Sequence, residues 1–248
     1  IIAPLNQKLR RKIGKGRSFG PTRALSQSKA AQDGIRQRVK GCLAHILQKY
    51  SWSPSEAFEQ SPTPLGDNVH QDWRLQFTLF AKAEGHVWNG GKYDSGKPHH
   101  ARNFKTPKEW LNQARPLGAF TCPSTFKPGA ISRSNKQVAS QPFLVLESDT
   151  QSHGETCSLF KWMRKILKLR AIVNTGNKSL HGWFERPTPE QRTELKSILP
   201  ALGFDRAMFT PSQPCRLAGV VRPDTTPDPL LGVPVYQSLL WLDLEGVA

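Results

Sequence analysis

At 248 residues the chain is long enough for one large domain, or for a catalytic domain with a small accessory piece, and 37% apolar content supports a buried core. Its 35 Lys and Arg against 19 Asp and Glu leave a net charge of +16, which points to a polyanionic partner because each cation set near a phosphate releases a condensed counterion. There is no long apolar run and no signal-peptide core, so a spanning helix is excluded and a soluble protein without membrane partner is expected.

In chain order, the sequence opens on Ile1, as a segment of a longer polypeptide does, and continues as a basic, glycine-punctuated arm (Lys8, Arg10, Arg11, Lys12, Lys15, Arg17, Arg23) to about residue 23. Such an arm is either a solvated tail or a nucleic-acid contact. Residues 26–50 predict an amphipathic helix, with Ser26 or Ser28 as cap and Ile35, Val39, Cys42, Leu43, Ile46 and Leu47 at helical spacing. The Pro/Ser-rich stretch from Trp52 to Pro64 reads as a linker. The chain is accordingly divided into a basic arm and helix at 1–62 and a catalytic domain at 63–248.

Further on, Trp73–Phe80 and Val87-Trp88 predict strands, and Thr106-Pro107 predicts a capped helix start. Residues 121–141 read as irregular. Phe143–Leu146 predicts a buried strand, Ser158–Leu169 a helix, Ala171–Val173 a strand, Pro189–Leu202 a helix and Leu239–Leu242 a closing strand. This alternation indicates an α/β or α+β domain.

Three segments carry candidate chemistry. The buried strand ends in Glu147-Ser148-Asp149, and alternation along a strand puts residues i and i+2 on one face. Two carboxylates so placed repel each other unless a cation sits between them, and Mg²⁺ or Mn²⁺ takes oxygen ligands. In the second segment, Val173–Phe184, a strand, a glycine turn and a strand set Ser179 and His181 on one face beside Lys178, a hydroxyl, an imidazole and a point charge suited to phosphate oxygens. The third holds Asp205, a further carboxylate after an apolar residue, and Arg216, a phosphate clamp, in Arg216-Leu217-Ala218-Gly219.

The order of these segments resembles the three motifs of the archaeo-eukaryotic primase superfamily, in particular the primase-polymerases of plasmids, phages and other mobile elements. The likeness spans roughly residues 85–245. It departs at Glu147, where many relatives have aspartate, and at Ala218, where proline is usual and stiffens the turn. The resemblance implies an RRM-like catalytic sheet packed with a second α/β unit, the site lying in the groove between them. Glu147, Asp149 and Asp205 would hold two Mg²⁺ or Mn²⁺ ions, while Ser179 and His181 bind a nucleoside triphosphate with Lys178 and Arg216 in support. It further implies a single-stranded DNA template steadied by the basic N-terminal helix, stacking of bases on Trp88 or Trp110, and a helicase domain or separate helicase as partner. A catalytically inactive primase-like binding module and a DNA-binding replication initiator are the alternatives.

Two other site types use residues present here. A rolling-circle nickase needs a tyrosine nucleophile and a histidine-bound metal, but the adjacent His99-His100 beside Tyr93 cannot both face one ion from a strand. A zinc site from His99, His100 and Cys122 lacks a fourth ligand. The scattered Cys42, Cys122, Cys157 and Cys215 form no CxxC pair and read as reduced thiols of a cytoplasmic protein.

Overall fold

The computed structural model describes residues 29–94, 98–223 and 234–247, so the basic arm and the candidate caps Ser26 and Ser28 lie outside the described residues. The amphipathic segment forms α1 (Lys29–Lys49), whose Ile46 is buried with Val39, Leu43 and Leu47 packed against the same cluster. The Trp52–Pro64 stretch, expected as a linker, carries α2 (Pro54–Glu59), closed by a reciprocal capping box between Ser53 and Glu56. Trp52 and Ala57 enter the same apolar cluster as Leu144 and Phe160, and the Thr63 amide donates to the Leu242 carbonyl at 2.9 Å. Residues on both sides of position 62 therefore share one core.

The stretch 73–80, expected as a strand, is instead helical: α3 (Asp72–Thr78) buries Trp73, Gln76 and Phe77, with Phe80 buried just beyond it. Those positions follow the i, i+3, i+4, i+7 spacing of one helix face, although the apolar/polar alternation of the same stretch suggests a strand. The first sheet consists of β1 (His86–Gly90), β2 (Phe104–Lys105), then after α4 (Pro107–Leu111) the strands β3 (Phe120–Phe126) and β4 (Val138–Ser140). Thr106 caps α4 with Glu109 answering, as the Thr-Pro signal predicts. The segment expected to be irregular at 121–141 thus contains the central strand of this sheet. All seven residues of β3 are buried, the polar Thr121, Ser124 and Thr125 included, so no polar/apolar alternation marks the strand.

The second sheet begins at β5 (Phe143–Leu146) and continues through α5 (His153–Met163), β6 (Leu169–Asn174), β7 (Leu180–Glu185) and α6 (Pro189–Ile198). Ser152 with Glu155 starts α5 earlier than the apolar pattern suggests. Next come β8 (Cys215–Arg216), β9 (Val220–Val221) and β10 (Tyr236–Leu242). The strand order is β5-β7-β6-β10-β9, every pair antiparallel. Hence β5 and β6 run parallel with β7 between them, and β7 and β10 run parallel with β6 between them. The succession β-α-β-β-α-β thus contains two split crossovers. The first sheet has the order β2-β1-β3-β4, and β8 pairs with β3 at the end opposite β4. The fold is mixed α+β with antiparallel sheets. β8 follows α6 and yet joins the first sheet, and its Arg216 amide donates to His181 in β7, so the two sheets touch at the start of β7.

Among the described residues no helix is long and apolar enough to cross a membrane.

Candidate active site

Pairing between β5 and β7 runs from Phe143 opposite Glu185 to Leu146 opposite Gly182. One step further along this register, Glu147 faces His181. The Glu147 carboxylate takes both neighbours: Ser179 Oγ donates to Oε1 at 2.6 Å, and His181 Nε2 lies 3.1 Å from Oε2. The expected common face of Ser179 and His181 is therefore realised. The turn that sets it is tight: Gly176 has φ 73°, in the left-handed region, and the Asn174 side chain accepts its amide at 2.9 Å. Thr175 Oγ1 donates to the Ser179 carbonyl at 2.7 Å, closing the hairpin.

His181 is held on its other side by the first sheet. The backbone N–H of Arg216 donates to Nδ1 at 3.2 Å, which assigns the ring proton to Nε2 and makes it a donor to Glu147. Burial alone would raise the Glu147 carboxyl, but the His181 ring, the Ser179 hydroxyl and the Arg216 guanidinium outweigh it and bring it down to about 2. The Arg216 guanidinium carbon lies 4.2 Å from the centroid of Phe120, its β3 pairing partner.

The turn after Arg216 is fixed without the proline expected there. The Ala218 amide donates to Gln76 Oε1 at 2.8 Å, Gln237 Nε2 donates to the Leu217 carbonyl at 2.8 Å, and the Gly219 amide donates to the Gln237 carbonyl at 2.7 Å. Gly219 has φ 78°, and a Cβ there would stand 2.8 Å from the Trp73 amide nitrogen. Gln76 and Gln237 are fully buried and do the work assigned to a stiff turn residue.

Asp205 is brought beside Glu147 through the backbone, its amide donating to the Glu147 carbonyl at 2.9 Å. Its carboxylate is exposed and accepts the Ala207 amide at 2.9 Å, capping the short 3-10 segment Arg206–Phe209. The preceding Phe204 is buried against Phe160. Asp149 is exposed on the turn that follows β5, past the end of ladder pairing, so strand alternation does not act on it. Ser148, between the two acids, is fully buried, and its hydroxyl accepts the amides of Thr150 and Gln151 at 3.3 Å each. Lys178 is exposed at the hairpin tip. Among the described residues no group of three His, Cys, Asp or Glu side chains is arranged to hold a metal ion in this conformation.

Trp88 and Trp110 are fully buried and are not available for stacking: Trp110 donates its indole N–H to the Val87 carbonyl, and Trp88 lies under the Arg133 guanidinium at 4.6 Å. Cys122 is likewise buried, donating to the Pro211 carbonyl at 3.2 Å. Sequence reasoning missed Gln76, Gln237 and Asn89. Their signal is a buried amide that ties down loop backbone, and only the tertiary fold reveals the burial.

No family model matches the chain, and no curated protein or solved structure is significantly similar to it.

Proposed function

We propose that the chain is a nucleotidyl transferase of the archaeo-eukaryotic primase type, joining nucleoside triphosphates on a single-stranded DNA template as primase, DNA polymerase or both. One observation carries this reading: motifs far apart in the chain converge at one point. Glu147 is bonded to Ser179 and His181, Asp205 to the backbone of Glu147, and the Arg216 backbone to His181. The β-α-β-β-α-β unit supports an RRM-like assignment by its succession of elements, with β10 beside β6 as its own variation.

In this reading Glu147, Asp149 and Asp205 hold two Mg²⁺ or Mn²⁺ ions. The donor chemistry fits, because hard divalent ions prefer carboxylate oxygens and Glu147, with its carboxyl brought down to about 2, is an anion at any physiological pH. Bound ions supply charge neutralisation and a more acidic 3′-hydroxyl. The chain itself supplies recognition. Ser179 Oγ and His181 Nε2 are adjacent donors now serving Glu147, and a triphosphate oxygen is an equivalent acceptor. Lys178 and Arg216 add positive charge, so the protein's own contribution is positioning and charge stabilisation. A helicase domain or separate helicase is the partner that would expose the template.

A second reading, a module that binds nucleic acid without turnover, is favoured by the engagement of both Glu147 oxygens by protein donors. Nucleotide incorporation on a single-stranded template, primed and unprimed, in Mg²⁺ and in Mn²⁺, separates the two. We expect metal-dependent product that falls at least about 100-fold in Asp149→Ala. Undiminished product in that variant would remove Asp149 from the metal set. Tight template binding by the wild-type chain without any product would favour the binding module.

A further inference from the structure

Five large hydrophobic side chains are exposed among the described residues: Phe58, Tyr93, Leu117, Ile131 and Val221. Three of them, Tyr93 at 85% exposure, Leu117 at 44% and Val221 at 38%, line one cleft of about 720 Å³. Its remaining wall includes Gly91, Gly118 and Phe120. The gathering of three such side chains in one concavity gives the cleft the character of a binding surface.

The floor of the cleft is rigid and bare. Asn89 is fully buried and clamps the 117–120 segment: its side chain accepts the Leu117 amide at 2.6 Å and donates to the carbonyls of Gly118 and Phe120 at 2.8 Å each. Gly118 lies so close to Gly90 that a Cβ would stand 2.2 Å from its carbonyl carbon. Glycine at 118 is required by this contact between the two backbone segments. Among the described residues the one carboxylate in the wall, Asp94, already accepts the Gly91 amide at 2.7 Å. Lys92 is exposed beside Tyr93. The cleft is also lined by Phe120, on whose ring the Arg216 guanidinium rests.

A cleft with apolar walls, an exposed tyrosine, a lysine at the rim and an arginine resting on its Phe120 wall suits one ligand chemistry, an unstacked nucleobase on a phosphate backbone. We infer that this cleft seats a base of a single-stranded nucleic acid, stacked on Tyr93, as the strand passes Arg216. The net charge of +16 supplies the complementarity to the backbone. The inference rests on the transferase reading only for the strand's route past Arg216, and binding to Tyr93 needs no chemistry.

The test is a fluorescence-anisotropy titration of the full chain with a labelled single-stranded oligonucleotide and with an abasic strand of equal length, at fixed salt and in chelator. Tyr93→Ala should weaken binding of the base-bearing strand about 10-fold or more and leave the abasic strand unchanged, while Tyr93→Phe restores wild-type affinity. Wild-type affinity in Tyr93→Ala, or equal loss on both strands, would overturn the proposal. So would a loss confined to a free nucleoside triphosphate titrated in parallel. A chain that incorporates no nucleotide yet keeps the Tyr93-dependent preference for bases would sink the transferase reading and leave the cleft assignment standing.

Discussion

Two carboxylates, the half-buried Glu147 and the buried Asp72, pull the stability of this molecule in opposite directions as pH changes. Glu147 has its folded-state carboxyl lowered to about 2 from an ordinary value of 4.5, so its contribution is complete above 4.5 and is lost as pH falls through 2. Asp72 is the reverse case. Burial raises it from 3.8 to about 6 against the opposing hydrogen bond from the Leu239 amide. Its ionised form is penalised in the folded state, so stability rises as pH falls from above 6 toward 3.8. Urea midpoints taken from pH 8 down to about pH 3 should therefore climb through the first window and decline in the second. Asp72→Asn should flatten the climb, because the amide oxygen still accepts from Leu239 and no charge is buried. Glu147→Gln should flatten the decline and cost up to about 3 kcal/mol at neutral pH. Unchanged profiles would mean that neither environment is as drawn.

At the scale of elements, the close fit of α5 on the second sheet depends on Gly182. A Cβ there would stand 2.7 Å from the Phe160 ring, in the middle of β7 and directly after His181. Gly182→Ala should destabilise the fold by about 1–3 kcal/mol and displace His181, which chemical denaturation and loss of nucleotide affinity would both register. A variant as stable as the parent would show that Phe160 yields freely. The sequence made part of this geometry legible. Phe143–Leu146 reads as a buried strand because it is uniformly apolar, and the two-residue step from Ser179 to His181 survives because Ser179, directly before β7, is still held across the hairpin by the Thr175 hydroxyl. Glu147 continues the β5–β7 register opposite His181, whereas Asp149 stands on the turn beyond β5, where strand alternation has no hold. Strand alternation was silent on β3, whose polar residues are buried on both faces, and it misled at α3, where Trp73–Phe80 alternates apolar and polar while also fitting a helix face. Asp205 was found by its apolar neighbour, but only the tertiary fold reveals that its amide reaches Glu147.

For the whole molecule, the packing of α1 and α2 sets where the chain can be cut. Ile46, Trp52 and Ala57 are buried with the residues of β5, α5 and β7, so a fragment of 63–248 exposes the apolar surface they cover. Burying a single large apolar side chain contributes about 1.5–3 kcal/mol, and a typical domain has only about 5–15 kcal/mol in total. That fragment should melt well below the full chain or precipitate, and a melting temperature equal to the parent's would establish an independent domain starting at 63.

The short strand β8 also has a temporal meaning. β3 pairs at one end with β4 and at the other with β8, so Phe120 meets Arg216 only after the whole β5–α6 stretch has been made. On a ribosome the N-terminal sheet would leave the exit tunnel with part of its central strand uncovered, and it stays so until residue 216 emerges. Asp72 waits longer still for the Leu239 amide. The two sheets therefore cannot mature one after the other in the order of synthesis, and β10 locks α3 long after α3 has been made.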